Sequence, residues 1–160
     1  MPQRAGIGYD IHVRAAGRPL VIGGVRFQGE WGLEGHSDAD VLAHAIGDAL
    51  LGAVALGDLG QHFPPGDEKW KDVSSMKLLR LIRAMVVGRG GRIVNVDATV
   101  VAAEPKLAPV RDAMRENIAR SLKLAAGQVS VKATTNEGLG SLGRGEGIAA
   151  WAVAMVEVAE

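Results

Sequence analysis

The sequence predicts an α+β protein, a sheet of about four or five strands with three helices packed on one face. Two observations carry that reading. Segments of strand character recur along the whole chain, and three segments with apolar residues at helical spacing stand between them. The chain also has enough material for one core: 48% of its 160 residues are hydrophobic and only 4% are aromatic, so Ala, Val, Leu and Ile must fill it. Residues 1–160 therefore read as a single domain, with no repeat, linker or low-complexity block.

Residues Ile7 to Val13 alternate in the strand sense, which puts Asp10 and His12, two apart, on the same face. Arg18 to Phe27 reads as a short hairpin turning at Gly23-Gly24. Val41, Leu42, Ala45, Ile46, Ala49, Leu50, Ala53 and Val54 mark the first helix, with Asp38 or Asp40 placed to cap it. One polar stripe interrupts that helix, Asp40, His44 and Asp48, each four residues from the next. Burying such a stripe is costly unless it meets a metal, a charge or a polar substrate, although a lone helical histidine is usually a hydrogen-bonded core residue.

From Gln61 to Asp72 two prolines and a glycine exclude a regular element, leaving a loop. With Phe63 and Trp70 in it, this loop is either a lid or an ordinary exposed connection. Ser74 or Ser75 caps a second helix, Met76 to Val86, which stops in the glycines from Gly88 to Gly91. Arg92 to Ala103 is a β-branched strand. A third, amphipathic helix follows, with Val110, Met114, Ile118, Ser121, Leu122 and Ala125 on its apolar side. Gln128 to Thr134 and Ile148 to Val158 complete the strands, joined by a glycine-rich link.

Composition excludes some classes of function. Eighteen Lys+Arg balance eighteen Asp+Glu, which removes any bulk electrostatic argument for nucleic acid or an anionic membrane. With no cysteine, a metal can be held only by imidazole and carboxylate. No apolar leader and no run of about 18 apolar residues occurs, so a cytoplasmic location is expected.

Three constellations carry chemistry. Asp10, His12 and His44 suit zinc or a similar first-row ion, and three protein ligands leave a fourth position for substrate. The second runs from Lys132 through Thr134, Thr135, Asn136 and Glu137 to Arg144 and Glu146. Its hydroxyls and backbone amides suit phosphate oxygens, and Glu137 suits a hard cation such as magnesium; the plainer reading is a glycine-rich hairpin with Arg144 and Glu146 paired in solvent. The third, Asp58-Leu59-Gly60, either receives two hydroxyls of a sugar or stabilises its own turn.

Together the segments G-Y-D-I-H, I-G-G-V, G-H-S-D-A-D-V-L-A-H-A-I-G-D-A-L-L-G-A, L-G-D-L-G, F-P, P-K-L, K-A-T-T and G-R-G-E-G-I-A, in this order, resemble the 2-C-methyl-D-erythritol 2,4-cyclodiphosphate synthase family of the non-mevalonate isoprenoid pathway. The resemblance runs from Gly8 to about Val156. It implies a phosphorus–oxygen lyase that converts 4-diphosphocytidyl-2-C-methyl-D-erythritol 2-phosphate to the cyclic diphosphate and CMP. It further implies zinc, or another divalent first-row ion, at Asp10, His12 and His44, with Asp10 and His12 also near substrate. His36 and Ser37 would lie beside the phosphates, with His36 and Thr135 stabilising the transition state. Asp58 and Gly60, flanking Leu59, would hold the ribose, and the loop of Phe63, Pro64, Pro65, Gly66 and Asp67 would cover the methylerythritol phosphate. Backbone groups of Ala102, Ala103, Glu104, Pro105, Lys106, Leu107 and Ala108 would read the cytosine edge. Thr134, Thr135, Asn136 and Arg144 would face the phosphates, and Glu137 would bind magnesium or manganese on the diphosphate. The implied assembly is a homotrimer with active sites between subunits, taking a small cytidine diphosphate substrate and neither nucleic acid nor membrane.

The chain departs from the family pattern at Gly138 and Ser141, where lysine and phenylalanine are usual, and at Pro65, where an acidic residue is usual. Two alternatives stay open from the residues alone: a metal-dependent phosphohydrolase with water in the open metal position, and a non-catalytic nucleotide- or isoprenoid-phosphate-binding trimer.

Overall fold

The computed structural model describes residues 1–159. Its five-stranded sheet has the order β4-β1-β7-β5-β6, where β1 is Gln3–Ala16, β4 Trp31–Leu33, β5 Gly91–Val101, β6 Val129–Thr134 and β7 Gly147–Val158. All neighbours run antiparallel except β5 and β6, which are parallel because helix α4 (Arg111–Leu122) crosses between them. A separate hairpin pairs β2 (Leu20–Ile22) with β3 (Val25–Phe27). Its turn is Gly23-Gly24, with φ of +58° and +71°, the left-handed geometry that glycine reaches without strain. Helices α1 (Val41–Ala53), α3 (Ser75–Gly88) and α4 form the helical layer, and the core lies between them and the sheet.

The expected α+β class and three long helices are thus present, with differences of detail. The first strand begins at Gln3 rather than Ile7, and the three-residue strand β4 has too little sequence to show an alternation. The prolines in the 61–72 segment do not keep it featureless. A one-turn helix α2 (Leu59–His62) enters it and a 3₁₀ turn, Glu68–Trp70, follows. The glycine-rich link likewise contains a one-turn helix, α5 (Gly140–Gly143). Ala125 is exposed rather than on the buried side of α4, because that helix ends at Leu122 and Lys123 takes a left-handed φ of 54°.

Helix α1 lies unusually close to β1. A Cβ placed on Gly6 or Gly8 would come within 1.8 Å of the carbonyl oxygens of Ala49 and Ala45 respectively. Only glycine on the strand and small residues on the helix permit that approach. Since β-strand side chains alternate, Asp10 and His12 continue the same face as Gly6 and Gly8, and the helix brings His44 down on them. The opposite face of the sheet carries Ile7, Tyr9, Ile11, Val13, Trp151 and Val153, all exposed, with Ile7 at 72%. Tyr9 and Trp151 pack there with ring centroids 4.8 Å apart.

Candidate active site

The Gly35–His44 stretch divides its labour among its side chains. Asp40 is the N-cap of α1 and is wholly buried, accepting from the N–H of Ala43 at 3.1 Å, Gly23 at 2.9 Å and Gly24 at 2.8 Å. Burial, aided by the charge of Asp38, pushes its carboxyl up to about 6 despite those three bonds. The stripe expected on α1 is therefore corrected: Asp40 turns to the β2–β3 hairpin, and only His44 and Asp48 face the cavity beside Asp10. Asp48 accepts from the N–H of Leu59 at 2.8 Å, which ties α2 to α1, and burial raises its carboxyl above the usual range.

The three metal candidates converge. His12 Nε2 lies 2.7 Å from Asp10 Oδ2, His44 Nδ1 lies 3.0 Å from the same oxygen, and the two ring nitrogens are 3.2 Å apart. Among the described residues these three form the one group of at least three histidine and acidic side chains with donor atoms close enough to share an ion. His12 Nδ1 donates to the Glu34 carbonyl at 2.8 Å, so in the neutral ring its Nε2 has a lone pair aimed at the cluster. His44 meets Ser75 and Ser37 through Nε2, at 2.9 and 3.1 Å, which leaves its Nδ1 for the cluster. Both rings are thus oriented as a divalent ion requires, and the nitrogen–oxygen donor set suits zinc. Burial works to raise the Asp10 carboxyl, but bonds from His12 and His44 reverse this and hold it down at about 2. Burial likewise opposes charge on His12, yet the bond to Asp10 raises its value above 6.5.

This cluster lies in a cavity of about 300 Å³ that is also lined by His36, Ser37, Leu59, Gly60, Phe63, Pro65 and Trp70. The 63–73 segment is folded over it. His36 Nε2 donates to the Asp67 carbonyl at 2.8 Å, the Asp72 N–H donates to the His36 carbonyl at 3.0 Å, and Phe63 meets Trp70 edge to face at 4.9 Å. Asp58 caps α2 by accepting from the Gln61 N–H at 3.1 Å, and its neighbours Leu59 and Gly60 reach the cavity.

The remaining expected residues lie elsewhere. Ala102, Ala103, Pro105, Lys106, Leu107 and Ala108 line a second cavity of about 260 Å³ together with Thr134 and Thr135. An N–H···O bond of 3.0 Å from Ala102 to Thr134 joins its two sides. The two cavities share no residue, so within one chain His36 and Thr135 are not brought together. Asn136 and Glu137 are exposed; the Glu137 N–H donates to Thr135 Oγ1, and Glu137 stands outside the metal group. Glu104 pairs with Arg14 at 2.9 Å, and Arg144 pairs with Glu146 at 2.7 Å on the surface.

One residue was missed by sequence reasoning. The expected serine cap of α3 is corrected: Ser74 is the N-cap residue but makes no side-chain cap bond, and Asp38 accepts from the Ser75 N–H instead, at 2.8 Å. The Ser75 hydroxyl donates to the same carboxylate and also meets His44.

Comparison with known proteins decides the family. Residues 3–157 match the YgbB family. The chain belongs to that family. It is 58% identical over 153 residues to the 2-C-methyl-D-erythritol 2,4-cyclodiphosphate synthase of Moorella thermoacetica, covering 96% of this chain and 94% of that protein. It is also 58% identical over 155 residues to the bifunctional enzyme IspD/IspF of an Anaeromyxobacter strain, where it spans 97% of its own length but 40% of the relative's. Among solved structures, the bifunctional IspDF of Campylobacter jejuni matches at a TM-score of 0.94 and 41% identity, over 99% of this chain and 43% of that one. A CDP-bound structure of 2C-methyl-D-erythritol-2,4-cyclodiphosphate synthase matches this YgbB chain at 0.88 and 33% identity, over 96% of this chain and 100% of that one. No helix among the described residues is long and apolar enough to cross a membrane.

Proposed function

We infer that the protein is a cyclodiphosphate synthase of isoprenoid biosynthesis, converting 4-diphosphocytidyl-2-C-methyl-D-erythritol 2-phosphate to 2-C-methyl-D-erythritol 2,4-cyclodiphosphate and CMP. The observation that carries the reading is the meeting of Asp10, His12 and His44 in a covered cavity, in a chain aligned almost end to end with synthases. The chemistry is an intramolecular phosphoryl transfer: the 2-phosphate oxygen attacks the β-phosphorus, the bond to the bridging oxygen breaks, and CMP leaves. The enzyme is accordingly a phosphorus–oxygen lyase, and its task is positioning and charge neutralisation, for which no protein nucleophile is needed. Asp10, His12 and His44 would hold a divalent ion such as zinc and Glu137 would hold magnesium or manganese, and such ions would supply positive charge to the crowded phosphates.

The chain's own residues do the rest. In this reading His36, its ring held by the bond from Nε2 to the Asp67 carbonyl, and Ser37, with a hydroxyl to donate, face the phosphates from the first cavity. Leu59, Gly60 and the covering segment with Phe63 and Pro65 exclude water, which favours cyclisation over hydrolysis. In the second cavity, the backbone from Ala102 to Ala108 holds the cytosine and Thr135 faces the phosphates. We take residues 1–160 as one synthase domain acting in the cytoplasm, and place the complete site between copies of a homotrimer. The exposed apolar face of the sheet, from Ile7 to Val13 and across Trp151 and Val153, is a surface that such packing would cover. Two solved relatives are CDP complexes, which supports a cytidine diphosphate ligand here.

Phosphorus NMR of the purified protein with zinc, magnesium and the diphosphocytidyl substrate tests this function. Cyclic diphosphate and CMP are expected; linear phosphates would make it a hydrolase, and tight CMP binding without turnover would make it a binding protein. Light scattering at assay concentration tests the trimer, and a monomer under turnover conditions would refute the shared site.

A further inference from the structure

The cluster explains which nitrogen of His44 faces the metal only if something fixes the other one, and two serine hydroxyls compete for that place. Ser37 Oγ lies 3.1 Å from His44 Nε2 and Ser75 Oγ lies 2.9 Å from it. A single Nε2–H cannot serve both fully. The two serines differ in what else they hold. Ser75 is wholly buried, and its hydroxyl proton is committed to Asp38 Oδ1 while its backbone N–H is committed to Asp38 Oδ2 at 2.8 Å. With its one proton given away, Ser75 Oγ can meet His44 only as an acceptor, which requires hydrogen on Nε2 and so, in the neutral ring that binds a metal, a bare Nδ1. Ser37 is half-buried, lines the cavity, and accepts a longer bond from the Ala39 N–H at 3.3 Å, so its own proton remains free.

We propose that Ser75, held by Asp38, is a positioning residue that sets the tautomer and orientation of His44 toward the metal, leaving the Ser37 hydroxyl to the substrate. The inference rests on the metal reading of Asp10, His12 and His44. Asp38 thereby does two things at once, since the carboxylate that aims Ser75 also caps the N-terminus of α3. A partner behind a metal-bound imidazole is worth about tenfold to a hundredfold in metal affinity.

Zinc affinity of the full-length protein, measured by competition with a chromophoric chelator, tests the assignment. Ser75→Ala, which keeps the backbone bond to Asp38, is expected to weaken zinc by about tenfold or more, while Ser37→Ala leaves zinc binding as it was and raises the substrate KM. Wild-type affinity in Ser75→Ala, or a larger loss in Ser37→Ala, would overturn it. Should Ser75→Ala not fold, nitrogen-15 NMR of the zinc-loaded wild-type protein decides. A slowly exchanging His44 Nε2–H with an Overhauser contact to the Ser75 β-protons supports the assignment, and a contact to Ser37 alone refutes it. Failure of the wild type to bind zinc at all would remove the metal reading itself, a result distinct from either variant's.

Discussion

The two cavities differ in how much of their geometry the chain enforces by itself. Around Asp10, His12 and His44 almost every polar atom is spoken for: Glu34 orients one ring, Ser37 and Ser75 face the other, and two helix starts are capped by Asp38 and Asp40. The second cavity is floored by backbone between Ala102 and Ala108 and walled by Thr134 and Thr135, both exposed and followed by an exposed glycine-rich link. In the proposed reading the first is complete within one chain and the second is one wall of a site shared between subunits. A metal site demands donors placed within tenths of an ångström, which buried contacts can guarantee, whereas a nucleotide can be read by an open strip of backbone and enclosed later.

That contrast can be broken experimentally. The largest effect is expected for His44→Ala, which should retain the fold, lose the bound metal, and reduce cyclisation by about a thousandfold; metal analysis and phosphorus NMR read both, and an active, metal-replete variant would contradict the assignment. Next comes Gly8→Ala. Its added carbon meets the Ala45 carbonyl, so we expect a loss of about 3 kcal/mol or more in urea unfolding, with weakened metal binding as α1 is pushed off β1. Thr135→Ala sharpens the comparison from the other side: kcat should fall by about a hundredfold while zinc content and melting temperature stay as they were. A loss of zinc in that variant would mean that the two cavities are not independent units.

The smallest effect is a pH dependence. The raised value of His12 means that its proton competes with the metal, so zinc affinity should be full above that value and fall by about tenfold per pH unit below it. The metal-free protein has the opposite sign on this residue. His12 charge paired with Asp10 stabilises the fold below 6.5 and is lost as pH rises through the raised value. The Asp10 contribution is present above 3.8 and disappears as pH falls through about 2. Thermal melts with and without zinc across pH 5–8 should therefore diverge, and parallel curves would speak against His12 as a ligand.

Much of the first cavity could be read from residue order, because its ligands obey local periodicities: two residues apart on a strand for Asp10 and His12, and one helical face for His44 and Asp48. The long strands and the three long helices followed from the same rules, as did the turn at Gly23-Gly24, whereas β4 and the one-turn helices α2 and α5 are too short to show a period. What could not be read depends on contacts between distant segments. Ser75 stands 37 residues from Asp38, and its serine-before-helix pattern is the ordinary signature of a cap. Nothing in the sequence says that the N-termini of α1 and α3 converge, so a residue that looks like a cap can be freed for another use. The cap at Asp40 was legible, since an aspartate stands directly before the apolar run of α1, but its bonds from Gly23 and Gly24 depend on the distant hairpin.

Strand β1 presents Gly6, Gly8, Asp10 and His12 to the helix, and Ile7, Tyr9, Ile11 and Val13 to the uncovered face. Both messages are written in one strand, interleaved residue by residue. Insertion or deletion of a single residue before Asp10 would exchange them, driving isoleucine and tyrosine into the backbone of α1 and turning the upstream half of the pattern inside out. Length changes in this strand can be accommodated only in pairs or as a bulge.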